Sequence, residues 1–248
     1  MVVMNFDGKV ALVTGGCGGI GLVTAKAFNE AGAHVIITDI FAKESDIVKI
    51  ALSKLNNATY FKLDVSNFEE ASNVAREVLD KFGKIDILIN NAGITKDKTI
   101  KKITYQEWED VIKVDLTGVF NVTKAFVESM IERKSGVIIN ISSIVGLDGN
   151  IGQVNYSAAK GGVAAITYTL GKELAKYGIR VVAVAPGFIR TKMVDAIPDE
   201  IKKKILSGVP MQRFGEPDEV ARVIRFLASD EASYITGTVI RIDGGTHL

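Results

Sequence analysis

The stretch that decides the fold is VALVTGGCGGIG, residues 10–21, close to the beginning of the sequence. Its first five residues predict a buried strand, and its glycines predict a tight turn that leads into a helix. Such a turn lets the backbone approach a pyrophosphate, which the free N–H groups and the positive end of the helix dipole then bind. We therefore predict a dinucleotide-binding loop, with a plain tight turn as the alternative. The predicted contacts are Gly15, Cys17, Gly18, Gly19, Ile20 and Gly21.

Beyond this stretch, short apolar runs alternate with amphipathic stretches along the whole chain. The runs predict strands at Lys9–Thr14, His34–Thr38, Thr59–Leu63, Ile85–Asn90, Gly136–Ser142, Arg180–Ala185 and Thr238–Ile242. The amphipathic stretches predict helices at Ile20–Ala31, Lys43–Asn56, Phe68–Phe82, Tyr105–Arg133, Asn155–Tyr177 and Pro217–Ala228. This alternation predicts an α/β fold, a parallel sheet with helices on both faces, in a single domain over residues 1–248.

Residues 191–213 interrupt the alternation with two prolines and three consecutive lysines. The segment follows the carboxyl end of a predicted strand, which is where open α/β sheets bind ligands. We interpret it as a substrate lid. The alternative is a solvated surface insertion.

Composition excludes several classes of function. Lys and Arg total 30 against 29 Asp and Glu, so the net charge of +1 gives no support for nucleic-acid or membrane binding. The chain has only two His and one Cys, which are too few for a typical metal site of soft ligands, and we therefore predict no metal. The single Cys fits a reducing compartment, and the N-terminal residues lack the pattern of a signal peptide, so we expect a cytoplasmic protein.

Asp39 ends the second predicted strand, 18 residues after Gly21. A carboxylate there can accept hydrogen bonds from both hydroxyls of an adenosine ribose and would repel a 2′-phosphate. Because Gly18 also takes the place of a possible phosphate-binding Arg, we expect NAD(H) to be preferred over NADP(H). The alternative is that Asp39 only caps a loop. For Cys17, a thiol activated by the helix N-terminus is less favoured than a small residue that fits a crowded loop.

Tyr156 and Lys160 stand four residues apart on a predicted helix and therefore share one face. A phenol is a poor acid–base group at neutral pH, but a nearby ammonium stabilises the phenolate. The pair can therefore protonate a carbonyl oxygen during reduction or deprotonate an alcohol during oxidation. Ser143 follows another strand at its carboxyl end, where its hydroxyl could hold the substrate oxygen; alternatively, it makes a local hydrogen bond to the backbone.

These motifs together resemble the short-chain dehydrogenase/reductase family. The matching residues are the loop 14–21, Asp64, Asn90–Gly93, Ser143, Tyr156 with Lys160, and Pro186-Gly187. The resemblance implies a seven-stranded, doubly wound Rossmann fold, hydride transfer at a nicotinamide, and a homotetramer. It assigns Tyr156 as the acid–base residue, Lys160 as the ribose-binding residue and Ser143 as the residue that orients the substrate. The further cofactor contacts that it implies are Ile40, Asp64, Val65, Asn91, Ala92, Gly93, Val114, Pro186, Gly187, Ile189 and Thr191.

Asp115 departs from the family pattern, which usually has Asn at this position. By resemblance, this fourth catalytic position helps to hold a water that connects Lys160 to solvent. An Asp keeps the acceptor oxygen, but its charge would oppose the effect of Lys160 on the phenol. We expect an active enzyme with an altered pH dependence.

Several stretches are similar to 3-oxoacyl-(acyl-carrier-protein) reductases, among them NNAGITKD at 90–97 and GNIGQVNYSAAK at 149–160. The similarity implies 3-oxoacyl thioester substrates, with Gln153 and Gly187 near the substrate and an acyl carrier protein as a partner. Arg133, Lys134 and Lys172 are candidates for a docking face, and the alternative is that they are ordinary solvated surface residues. The alternatives are a dehydrogenase for a secondary alcohol, a 3-hydroxyacyl-CoA or a sugar, and a protein that binds the cofactor without turnover.

Overall fold

The computed structural model describes residues 4–191 and 199–246. Seven parallel strands form one sheet in the order β3-β2-β1-β4-β5-β6-β7. The strands are β1 Val10–Thr14, β2 His34–Asp39, β3 Ala58–Lys62, β4 Ile87–Asn90, β5 Gly136–Ile141, β6 Ile179–Pro186 and β7 Thr238–Ile242. The order reverses between β1 and β4, so a crevice opens there at the carboxyl ends of the strands.

Helices cover both faces of the sheet. They are α1 Gly19–Glu30, α2 Asp46–Leu52, α3 Phe68–Phe82, α4 Tyr105–Ile112, α5 Gly118–Arg133, α6 Ile144–Asp148, α7 Val154–Leu174, α8 Asp199–Ser207 and α9 Pro217–Ala228. Side chains of a strand point alternately to its two faces. In β1, Ala11 and Val13 pack with α1 and α9, whereas Val10 and Leu12 pack with α3 and α5. Two apolar cores therefore sandwich a sheet that is buried on both sides, which confirms the predicted fold class.

The predicted elements agree with the structure except where tertiary contacts intervene. Phe68–Phe82 and Pro217–Ala228 form as predicted, with an Asn67 cap on the first and a proline in the first turn of the second. The predicted helix Lys43–Asn56 is shorter, Asp46–Leu52. The predicted helix Tyr105–Arg133 is interrupted by a π-helical turn, Lys113–Thr117.

The predicted lid at 191–213 lies partly outside the described residues, which resume with helix α8 at Asp199–Ser207. In the described ranges, no helix combines the length and hydrophobicity needed to cross a bilayer. Nor do these ranges contain a cluster of three or more His, Cys, Asp or Glu side chains suited to a metal ion.

Candidate active site

In the glycine loop between β1 and α1, Gly15 and Gly21 leave no room for a side chain. A Cβ on Gly15 would lie 2.9 Å from the Cα of Ala92, and one on Gly21 would lie 2.3 Å from the carbonyl oxygen of Gly15. Gly15 also has a φ of +63°, a left-handed conformation that favours glycine. A Cβ on Gly18 or Gly19, in contrast, would meet nothing within 4 Å. The loop is therefore packed on its inner side and open on the side that faces the cleft.

A cleft of about 590 Å³ runs from this loop to the amino end of α7. It brings together most of the residues that the sequence predicts for the site. The predicted residues that line it are Gly15, Cys17, Gly18, Gly19, Ile20, Asp39, Ile40, Asp64, Val65, Asn91, Ala92, Gly93, Val114, Asp115, Tyr156, Lys160 and Thr191. On its loop side the cleft is bordered by the beginning of α1, where the first backbone N–H groups of a helix are free to bind an anion.

Tyr156 and Lys160 project from the first turns of α7. The Lys160 ammonium lies 5.5 Å from the centre of the Tyr156 ring, and the lysine is only 3% exposed. The preceding residue, Asn155, fixes the start of the helix, since its amide donates to the carbonyl oxygens of Lys96 and Glu107 at 3.1 and 3.2 Å. The phenol is therefore held at the cleft by a helix whose first turn is anchored to the β4–α4 loop.

Asp115 lies in the π-helical turn between α4 and α5 and has no exposed surface. Its Oδ2 is 3.2 Å from the Lys160 Nζ, and its Oδ1 accepts the Ile94 N–H at 2.8 Å. The Lys160 Nζ also donates to the carbonyl oxygen of Ile141 at 3.0 Å. No room remains for a side chain at Gly93, where a Cβ would be 2.6 Å from the Asp115 carboxylate. Turns of the π type often mark functional sites in helices.

The two charges of this pair affect each other's protonation. Burial acts to lower the pKa of Lys160, but the Asp115 carboxylate, by its charge and its hydrogen bond, and Tyr156 together raise the pKa above its usual value. Burial raises the pKa of Asp115, while the Lys160 ammonium acts in the opposite direction. Lys160 is therefore kept as an ammonium beneath the cleft.

Ser143 caps the short helix α6, and its hydroxyl accepts the Val145 N–H at 3.2 Å. Helix α6 packs tightly on α7, because a Cβ on Gly146 would lie 2.7 Å from the Cβ of Lys160. Ser143 therefore makes the local backbone contact that was its alternative role. It stands beyond the carboxyl end of β5 but is not among the residues that line the cleft.

Five other predicted residues also lie outside the cleft lining. Gly21 packs inside the loop, and Gln153 donates to Asp97 at 2.9 Å. Pro186 ends β6, and the Gly187 N–H donates to the carbonyl oxygen of Ile242. Ile189 pairs with Gly215 and lines a second cavity, of about 490 Å³, with Phe188 and Met211. The structure thus places these residues beside the site rather than around the nucleotide cleft.

Asp39 and Cys17 interact with each other. The Asp39 carboxylate accepts the Cys17 N–H at 3.2 Å and the Ile40 N–H at 2.9 Å, so it caps the glycine loop. Burial, followed by the Asp39 charge, raises the pKa of the Cys17 thiol to about 12. An activated thiol is therefore not supported, and Cys17 acts as a small buried residue.

The sequence did not identify six further residues that line the cleft, five of them apolar. They are Phe41, Ile47, Leu63, Ile94, Thr95 and Ile141. Phe41 and Ile47 are large apolar side chains that are 37% and 39% exposed beside the glycine-loop end of the cleft. The sequence signal that could have identified Phe41 and Ile47 is that they follow the carboxyl end of β2.

Comparison with known proteins assigns the family. A family model described as enoyl-(acyl carrier protein) reductase matches residues 15–247. The chain belongs to the short-chain dehydrogenase/reductase family. Members of this family are oxidoreductases that act on CH–OH and C=O groups. The resemblance found in the sequence is confirmed.

Several relatives align with nearly the full length of this chain. The chain is 48% identical to a 3-oxoacyl-[acyl-carrier-protein] reductase FabG of Thermotoga maritima over 243 residues, covering 98% of this chain and 99% of that protein. It is 43% identical to the FabG of Vibrio cholerae, covering 99% and 100% of the two chains. The crystal structure of gox2181 superposes with a TM-score of 0.93 at 37% identity, covering 98% of this chain and 96% of that one.

The predicted preference for NAD(H) over NADP(H) is wrong by this comparison, because FabG reductases typically use NADPH. The prediction treated the Asp39 carboxylate as an acceptor left free for a ribose. In the structure, each of its oxygens accepts one backbone N–H, from its own loop and from the glycine loop, so this carboxylate also has a structural role as a cap of the loop. The presence of this carboxylate at the end of β2 therefore does not decide the cofactor.

Proposed function

We propose that this chain reduces the ketone of a 3-oxoacyl thioester to a 3-hydroxyacyl thioester, with Tyr156 as the proton donor. The observation that carries the proposal is the single cleft in which an open glycine loop and the Tyr156–Lys160 pair face each other. The names of the relatives, 3-oxoacyl-[acyl-carrier-protein] reductases, support the substrate class.

A nicotinamide dinucleotide fits the loop side of the cleft. Open space at Gly18 and Gly19 leaves room for the pyrophosphate, and the first N–H groups of α1 are available to bind it. Asp64 and Val65 stand where they would contact the adenine, and Asn91 to Gly93 would contact the rest of the nucleotide. When bound, the nicotinamide supplies a hydride to the carbonyl carbon of the substrate.

The protein residues then move one proton. As the carbonyl carbon becomes tetrahedral, its oxygen gains negative charge and takes the proton of the Tyr156 hydroxyl. Lys160, a buried ammonium 5.5 Å from the ring, stabilises the phenolate left behind. Ser143, at the start of α6, is proposed to donate its hydroxyl hydrogen to the same substrate oxygen. The reverse sequence oxidises the alcohol.

The chain is also proposed to form a homotetramer through its long helices. Phe120 on α5 and Tyr168 on α7 are 55% and 44% exposed, which is consistent with helices that pack against another subunit.

Initial rates of reduced-cofactor oxidation with acetoacetyl-CoA test the proposed reaction. Parallel reactions with NADPH and NADH measure the cofactor preference, and secondary alcohols and sugars with NADP⁺ and NAD⁺ serve as the comparison. We expect turnover of the thioester with at least one cofactor, at a kcat/KM well above those of the alcohols and sugars. Turnover of an alcohol or a sugar alone would refute the thioester assignment.

A further inference from the structure

The guanidinium of Arg241, near the end of β7, is joined to the last residue of helix α6. Its two terminal nitrogens donate to the two carboxylate oxygens of Asp148 at 2.9 and 2.7 Å. A bidentate pair of this kind fixes the orientation of its partners as well as their distance. Because β7 is the edge strand of the sheet, the pair attaches the end of α6 to that edge.

Arg241 is itself held by the turn that follows β7. Its Nε donates to the Asp243 carboxylate at 2.6 Å, and its Nη2 donates to the carbonyl oxygen of Thr246 at 2.6 Å. Asp243 also accepts the Gly245 N–H at 3.0 Å, which stabilises the turn. The plane of the guanidinium is therefore fixed before Asp148 binds to it, and it offers a rigid point of attachment.

Helix α6 connects the two hydroxyls that are proposed to contact the substrate oxygen. Ser143 stands at its start, Asp148 is its last residue, and the loop that follows leads to Tyr156 on α7. At a rise of about 1.5 Å per residue, Asp148 is only about 7.5 Å along the helix from Ser143. A change in the direction of α6 at Asp148 therefore also changes the direction of the Ser143 hydroxyl.

The start of α6 has its own attachment to the sheet and to α7. The Ser142 N–H donates to the Val184 carbonyl oxygen at 2.8 Å, and the Ser142 hydroxyl donates to the Lys160 carbonyl oxygen at 2.9 Å. A short helix that is held at one end can tilt about that end, whereas one held at both ends has a single direction. The contact between Asp148 and Arg241 supplies the second attachment.

We propose that Arg241 is a positioning residue, which through Asp148 fixes the direction of α6 and keeps the Ser143 hydroxyl aimed at the substrate oxygen. This proposal rests on the proposed function, which gives Ser143 its role, and adds the residues that orient it. A misplacement of about 1 Å can cost about 100-fold in rate, so a loosened α6 should lower kcat. Arg241 and Asp148 do not line the nucleotide cleft, so their loss should leave cofactor binding unchanged.

The first test uses two variants, Arg241→Gln and Asp148→Ala, which we call the α6 variants. Asp148→Ala leaves the contacts of Arg241 with Asp243 and Thr246 in place, so it isolates the attachment of α6 from the turn after β7. The measurements are kcat with acetoacetyl-CoA and the Kd of the reduced cofactor. We expect each α6 variant to lose about tenfold in kcat, with a cofactor Kd within about twofold of the wild type.

The matched control is Arg180→Gln, on the strand next to β7. The Arg180 guanidinium is also partly buried, and it donates to the carbonyl oxygens of Leu227 and Ser229 at 2.7 and 3.0 Å. Arg180 stands four residues before Val184 on β6, and therefore about 13 Å from the end of the strand that faces Ser142. We expect this variant to lower Tm while its kcat stays within about twofold of the wild type.

A second background tests whether the effect passes through Ser143. Arg241→Gln is measured again in a Ser143→Ala protein, at high enzyme concentration. There it should cost less than about twofold in kcat, because the hydroxyl that it positions is absent. An equal loss in both backgrounds would overturn the proposal. So would a normal kcat in Asp148→Ala, or a loss in the control as large as in the α6 variants.

Hydrogen exchange of residues 143–153 tests the attachment of α6 without relying on the reaction. Within this segment the Gly146 and Gly149 N–H groups donate to the carbonyl oxygens of Ser143 and Val145. Their exchange should be faster in both α6 variants than in the wild type and the control. That result would support the attachment even if the wild type does not reduce acetoacetyl-CoA, an outcome that would refute the proposed function alone. Unchanged exchange in the α6 variants would overturn the proposal.

Discussion

The buried Asp115–Lys160 pair leads to a prediction about stability that can be worked from its geometry. The Nζ–Oδ2 distance is 3.2 Å, and the side chains are 3% and 0% exposed, so water does not screen the pair. Removal of one partner from such a pair leaves an uncompensated buried charge and costs about 3–5 kcal/mol. We expect Asp115→Asn and Lys160→Met each to lower the free energy of unfolding by this order. The double variant should lose less than the sum, with a coupling energy of about 2 kcal/mol or more.

The assay is urea unfolding at pH 7 and fixed protein concentration, followed by fluorescence and circular dichroism. The control cycle uses Lys26 and Glu30, a pair 3.5 Å apart whose side chains are 54% and 61% exposed. A surface pair of this kind contributes about 0.3–0.5 kcal/mol. Equal coupling energies in the two cycles would refute the argument that burial strengthens the Asp115–Lys160 interaction.

The stability of the Asp115→Asn variant should also depend on pH, and the direction of this dependence can be predicted. Without the Asp115 charge, burial is opposed only by the smaller effect of Tyr156, so it lowers the pKa of Lys160 in the folded state. The unfolded chain then binds more protons than the folded one as pH approaches the ordinary lysine value of about 10.4, so stability rises with pH in that window. The penalty of Asp115→Asn should therefore shrink between about pH 7 and pH 10. A penalty that is constant over this range would contradict the assigned charge state of Lys160.

Three other predictions concern Gly93 after β4, the Cys17 thiol and the exposed Arg213–Glu219 ion pair. Gly93→Ala places a Cβ 2.6 Å from the Asp115 carboxylate, so we expect it to reduce kcat more than tenfold and lower Tm; wild-type kinetics would contradict this packing. Cys17, with a pKa raised to about 12, should resist a disulfide reagent at pH 8 in the native protein and react fully in urea; rapid native labelling would contradict its burial. Two hydrogen bonds of 2.7 Å from Arg213 help to lower the pKa of Glu219 to about 2. Its stabilisation should be present above about pH 4.5 and disappear as pH falls towards 2, so the Tm difference between wild type and Glu219→Gln should shrink over that interval. A difference that does not vary with pH would argue against the ion pair.

Most of the fold could be predicted because its signals are local. All seven strands were predicted to within two residues, since runs of Val and Ile between polar turns leave little choice of element. Thr104 and Glu107 form the capping box that their spacing indicates, and Gly83 ends α3 in the left-handed conformation.

The remaining features depend on contacts that a sequence pattern does not contain. The π-helical turn at Lys113–Thr117 lies within a stretch that the sequence predicts as one continuous helix, and it brings Asp115 to the cleft. Helix α6 has only five residues, too few for a periodic pattern, although it carries Ser143 at its start. The position of Asp39 could be predicted, but not the two backbone N–H groups that its carboxylate accepts.

The most direct test of the account is the reduction of acetoacetyl-CoA by Tyr156→Phe measured beside the wild type, together with the Kd of the reduced cofactor. The phenylalanine keeps the ring over Lys160 and removes only the hydroxyl that is proposed to donate the proton. We predict a loss in kcat of about 100-fold or more with a cofactor Kd that is nearly unchanged. A variant that reduces acetoacetyl-CoA at the wild-type rate would contradict the assignment of Tyr156 as the proton donor.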